Sequence, residues 1–286
     1  MTVTVFMAVL FASLLFVILK LFARYKISNI HALTYNYFTA GICYTLYSKQ
    51  TFSSIAGFVA SYFPYYLLSG CLFIGVFYLT ALSSQKNGVA STTIASKMSL
   101  VIPALLAVYL YNETFSLLKT IGLLMALSAV YLSARGSNPE SSESGWKLPL
   151  LVFAGAGLVD ASIKYTQHVF TDNAGSSGFL SLVFFSAAII GSFVLLFKKN
   201  KSIGGNKFSN IIAGIILGFF NFISLYYMIA ALQEFHEDSG KAFIIINSGV
   251  VLLNFLLSVI LFQEKKNTQS RVGVTLAVAA IIILSQ

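Results

Sequence analysis

Lys97 lies in Ser96-Lys97-Met98-Ser99, inside a long apolar run and too far from either end to reach water easily. A charge at mid-bilayer costs roughly 2.5–3.5 kcal/mol on insertion scales, so a lysine there is expected to face a wet cavity or a partner. Asp160 is the only acidic residue deep within such a run, and Lys164 follows it by one helical turn on the same face. Two readings are open. In the first, Asp160 only neutralises Lys164 or Lys97. In the second, Lys97 and Asp160 line a cavity and act as a coupling pair, Asp160 gaining or losing a proton as cargo and Lys97 exchange partners.

Other deep polar residues extend the candidate cavity. Asn36, Asn221, Asn247 and Asn254 each need hydrogen-bond partners in lipid and so point inward, as glue between helices or as contacts to cargo. Ser248 stands 151 residues after Lys97. One cation at that pair of positions would make the cavity asymmetric and suit a cargo with an anionic end such as a carboxylate. Among tyrosines in or near apolar runs, Tyr78 and Tyr227 join the cavity list, and Tyr35, Tyr37 and Tyr226 read as packing or interfacial residues. Pro103 should kink its helix and free a carbonyl, as a hinge or as a static bend. Lys20 and Lys164, near run ends, are expected to snorkel. Glu113 and Glu264, also at run ends, are expected to cap the following helix or pair with loop cations.

Catalytic signatures are missing. The sequence has no HExxH, P-loop or nucleophile elbow. His31, His168 and His236 make no metal pattern, and Cys43 and Cys71 read as small buried hydrophobes. No catalytic residue, metal or cofactor is therefore expected, and any uphill work would need an ion gradient or a partner. A lipid-modifying membrane enzyme would call for clustered carboxylates, His or Cys, whereas the nine acidic residues here are dispersed.

The elements that must hold these residues follow from composition. The 286 residues are 57% hydrophobic and 9% charged, with mean hydropathy +0.84. Soluble chains carry about 25% charged residues, so lipid is the expected solvent. The net charge of +9 falls mostly in short loops, as topology signals and headgroup contacts rather than a nucleic-acid surface. Ten apolar runs are long enough to cross: residues 3–23, 30–48, 63–83, 88–110, 116–134, 148–170, 177–197, 209–232, 239–262 and 269–285. Consecutive apolar positions in 211–222 and 243–261 exclude the alternation of a barrel. The first run lacks a cleavage site and reads as a span, not a leader. Residues 50–62 are too short to cross and read as an interfacial segment.

The halves repeat. Ala81-Leu82 and Ala231-Leu232 precede long runs ending in Glu113 and Glu264, and Gly122 and Gly273 share the 151-residue offset of the two glutamates. Residues 1–136 and 148–286 thus form two five-span repeats joined by a linker at 137–147. Five is odd, so the second repeat is inserted upside down. The expected fold is all-α integral membrane: ten transmembrane helices as two inverted repeats around a central cavity near the midplane.

Gly88-Val89-Ala90-Ser91 through Pro103 to Glu113, then Gly122 and the small-residue fifth span, resemble the drug/metabolite transporter superfamily, in particular its ten-helix EamA type. The second copy, from Ala231 to Gly273, matches more weakly, with Asn254 where the first has Pro103. The resemblance implies a two-repeat bundle that moves small metabolites, often outward, and both termini in the cytoplasm. The charge count implies the reverse: about thirteen Lys and Arg lie by odd-numbered loops and about four by even ones, which places the termini outside.

The expected function is a secondary active transporter, an exporter, of a small polar or amphipathic metabolite, working by alternating access; proton coupling is left open, with the coupling ion unassigned by the sequence. It would be multi-pass in a bacterial inner membrane. Its partners would be the solute and membrane lipid, with no nucleic acid; oligomeric state is open and a monomer is compatible. The alternatives are a flippase for a lipid-linked substrate and, behind it, a lipid-modifying enzyme.

Overall fold

The structure, a computed structural model, describes residues 2–48, 52–103, 105, 117–135, 146–169, 176–197, 206–235, 239–264 and 267–284. Among these the chain is helical, with ten helices: α1 Val3–Arg24, α2 Asn29–Ser48, α3 Phe52–Asn87, α4 Val89–Met98, α5 Leu117–Arg135, α6 Lys147–Val169, α7 Ser176–Phe197, α8 Lys207–Glu234, α9 Ser239–Ile260 and α10 Thr268–Leu284. Residues 52–62, expected as a separate interfacial segment, instead extend the third helix, which runs unbroken through Pro64. Glu113, most of the 137–147 linker and the basic cluster at 198–205 lie outside the described residues.

Among the described residues, five stretches are long and apolar enough to cross a membrane: Val3–Arg24, Phe63–Asn87, Leu180–Phe197, Lys207–Glu234 and Ala242–Ile260. Their side chains are arranged for an apolar solvent. On α8, Phe208, Ile212, Ile215, Ile216 and Phe219 form one exposed stripe. The opposite stripe, Asn210, Gly214, Leu217, Gly218, Asn221 and Ser224, is buried and largely small or polar. A water-soluble helix has the reverse pattern. Hydroxyls on the helices bond back to their own backbone, as Thr34 does to the Ile30 carbonyl and Thr93 to the Val89 carbonyl, both at 2.8 Å. That satisfies a polar group without water. These features are compatible with a multi-pass membrane protein.

The helices gather into two compact units: Met1–Leu21, Leu79–Asp160 and Ile223–Gln286 form unit 1, and Phe22–Tyr78 with Ala161–Phe222 form unit 2. Each draws on both halves of the chain.

In unit 1, α5 packs along α10. A Cβ on Gly122 would lie 2.9 Å from Leu284, and one on Gly273 would lie 3.1 Å from the Ser133 backbone. Residue numbers rise on one helix as they fall on the other, so the two are antiparallel. Ala126, Ala129 and Val130 share a core with Ala277, Ala280 and Ile281. α9 packs antiparallel on α4, with the Asn254 amide donating to Thr93 Oγ1 at 2.9 Å. α1 runs parallel to α9, its Val9 against Gly249.

Unit 2 is built on aromatic rings and close backbones. Phe184 of α7 touches Tyr37 and Tyr44 of α2 and Phe73 of α3. α2 and α7 are antiparallel: Gly191 sits at Thr34, Gly41 at Phe185, and Thr45 bonds Ser181 at 3.1 Å. Gly214 and Gly218 of α8 approach the carbonyls of Ala32 and Asn36 so nearly that a Cβ on either would lie 2.5 Å away.

Two corners matter for the site. α3 and α4 are separated by Gly88 alone, whose φ of 91° and ψ of 161° suit glycine and few other residues. α4 stops at Met98, and Ser99 and Leu100 form a turn before the helix resumes at 101–103. Pro103 has no N–H for the Ser99 carbonyl four residues back, and its ring crowds that oxygen. Ile102 N–H takes the carbonyl instead, at 2.9 Å, tightening the turn. The carbonyl freed by Pro103 is thus bonded within the chain.

Candidate functional site

The break in α4 brings the two deep charges into one neighbourhood of unit 1. Lys97 stands in the last turn of α4, where a cation is favoured by the partial negative charge of a helix C-terminus. Ser99, in the turn, donates its hydroxyl to the Ser96 carbonyl at 2.5 Å and lies 3.3 Å from Asp160 Oδ2. Asp160 is brought there because α6 approaches the resumed helix at Gly157, where a Cβ would collide with the Ile102 side chain. Lys97 and Asp160 are both half-buried and within Coulombic reach, yet they do not close to a 4.0 Å ion pair. A flexible lysine whose only task was to neutralise Asp160 would gain by closing that gap. The arrangement leaves a positive and a negative group side by side, each able to engage something else. The Lys164 side chain lies outside the described residues.

The remaining candidates fall in different places. Asn247 and Ser248 are in unit 1, on α9: Asn247 donates to the Phe243 carbonyl at 2.9 Å, and the Ser248 hydroxyl is buried with no bonded partner. Tyr227 stacks on Phe11 of α1 with centroids 5.9 Å apart and packs against the α1–α9 core, so packing occupies its ring. Asn36 and Asn221 meet in unit 2, where the Asn221 amide donates to Asn36 Oδ1 at 3.3 Å and Asn36 Nδ2 is buried and unpartnered. Tyr78 belongs to unit 2 and is half-buried. All four deep asparagines are buried.

Three smaller expectations change. Cys71 is exposed and Cys43 only half-buried, because hydropathy places a residue in a span without saying which face it takes. Lys20 pairs with Glu264 rather than snorkelling. Glu264 leaves the cap of the helix that follows it to Asn267, which accepts the Ser270 N–H at 2.9 Å. It accepts instead the Val89 N–H that opens α4, at 3.2 Å. Ser99 was not anticipated, although a hydroxyl two residues past Lys97 and four before Pro103 was a readable signal.

No protein-family profile matches the chain. An uncharacterized protein of Haemophilus influenzae is 26% identical over 284 residues, spanning 94% of this chain and 92% of its own. A protein of known crystal structure is 15% identical and aligns over 99% of this chain and 96% of its own, with a TM-score of 0.60. At that identity the likeness is one of fold alone.

Proposed function

We propose that the chain is a secondary active transporter of the drug/metabolite transporter type. In this reading ten spans form two inverted repeats around a central cavity in a bacterial inner membrane. The cargo is a small polar or amphipathic metabolite with an anionic end, exported by alternating access with proton coupling. The observation that carries the reading is the separated Lys97–Asp160 pair beside the break in α4. A half-buried charge in a span costs free energy and persists where it meets a solute, water or an ion. Broken helices beside a polar centre are a recurring transporter device.

Contacts within the units support the inverted repeats. Gly122 meets Leu284 and Gly273 meets Ser133. Gly122 with Gly273, and Ser133 with Leu284, are each 151 residues apart, so the two contacts are one contact seen twice. Corresponding helices, α5 with α10, α4 with α9 and α2 with α7, pack antiparallel, as a two-fold axis in the membrane plane requires.

Purified protein in liposomes, offered a panel of carboxylates, amino acids and sugar phosphates with and without a pH gradient, tests this. Gradient-driven movement of an anionic-ended solute is expected, with Lys97→Met, folded and monodisperse, losing it. Transport unchanged by Lys97→Met, or no solute moved at all, overturns the reading.

A further inference from the structure

We infer that Lys20, Glu264 and the first turn of α4 form a latch that closes one end of unit 1 and opens during the working cycle; the inference rests on the transporter reading. Four chain segments meet there: the ends of α1, α3 and α9 and the beginning of α4. α9 is turned back by Gln263 in the left-handed region (φ 50°) and by Glu264 N–H donating to the Ser258 carbonyl at 3.1 Å. This throws the Glu264 carboxylate onto the start of α4. Its Oε1 accepts both the Val89 N–H, at 3.2 Å, and the Lys20 ammonium. Lys20 also sits 4.8 Å from the centre of the Phe262 ring, and Gln85 at the end of α3 donates to the Leu19 carbonyl at 2.9 Å.

Gly88 completes the fit, since a Cβ there would lie 2.5 Å from Glu264 Oε2. The corner needs glycine for its φ and the carboxylate needs the empty space, so residues 175 and more apart are matched to each other. A carboxylate at a helix N-terminus is favoured by the helix dipole.

The chemistry is that of a contact made to open. A buried ion pair can often be replaced by well-packed apolar residues without loss of stability, because burying ions is costly, so rigidity alone is a weak reason to keep one. Here the side chains keep 19% and 12% of their surface exposed, so both charges regain water when they part. The pair also joins the first repeat, through Lys20 and Val89, to the second, through Glu264. Behind it the Ser91 side chain on α4 is buried, its hydroxyl unpartnered.

The test uses full-length protein in liposomes with Cys43 and Cys71 replaced by serine. Ser91→Cys reports the latched end and Ser133→Cys, buried elsewhere in unit 1, reports general loosening. Labelling by a membrane-impermeant maleimide from each side is followed in Lys20→Met, Glu264→Gln and Lys20→Arg. The latch predicts Ser91→Cys labelling faster by about tenfold, from one side only, in the first two variants, with protection kept in Lys20→Arg; such a ratio is an opening free energy of about 1.4 kcal/mol. The Ser133→Cys thiol stays protected throughout. Unchanged Ser91→Cys labelling, or an equal rise at both thiols, overturns the latch. The readout needs no cargo: transport with unchanged labelling refutes the latch alone, and a labelling change with no solute moved refutes the transporter reading alone.

Discussion

Asp160 and Lys97 present the sharpest question at the scale of single residues. If Asp160 carries the coupling proton, Asp160→Asn keeps its size and its contact with Ser99 while losing the charge that cycles. Gradient-driven uptake is then expected to fall to background while exchange of labelled for unlabelled solute continues. Uptake and counterflow in the same liposomes separate the two, and loss of both would instead mark Asp160 as a cargo contact or a structural group. Charge-assisted contacts are worth roughly 1.5–3 kcal/mol, so affinity for an anionic-ended solute should drop by about tenfold or more in Lys97→Met. The chemical types at these positions were legible in the sequence because a deep charge needs no geometry to be noticed. Their separation was not, since it depends on the turn at Ser99 and on how closely Gly157 lets α6 approach.

At the scale of helices, small residues decide which pairs can meet and how much error each tolerates. Gly218 faces backbone, the Asn36 carbonyl, whereas Gly122 faces only side-chain atoms, those of Ile283 and Leu284. Backbone cannot yield and rotamers can, so Gly218→Ala should lower the melting temperature in detergent clearly more than Gly122→Ala. Overpacking costs roughly 1–3 kcal/mol where the neighbour cannot move. Equal shifts would mean that α2 and α8 separate more easily than their contacts suggest. Most helix boundaries match the apolar runs because a long apolar helix announces itself by length and hydropathy alone. The role of Glu264 stayed hidden because its partners, Lys20 and Val89 N–H, are far off in sequence. Its aim is set by one left-handed residue, Gln263.

For the whole molecule, the proposed ten crossings would put both termini on one side and the 137–147 linker on the other. Reporter fusions at Gln286 and within the linker should therefore give opposite signals, whichever face is cytoplasmic. Matching signals would exclude an odd number of spans in the second half. The side reported at Gln286 also decides between the basic-loop count, which places the termini outside, and the family resemblance, which places them in the cytoplasm. The seam between α5 and α10 carries a consequence of its own. Its two ends make the same contact with the roles of the helices exchanged, so the surface is its own complement when turned over. A polypeptide half this long bearing that surface could associate with an identical neighbour inserted the opposite way up. In the inverted-repeat reading, joining two such halves in one chain would let each glycine contact diverge on its own.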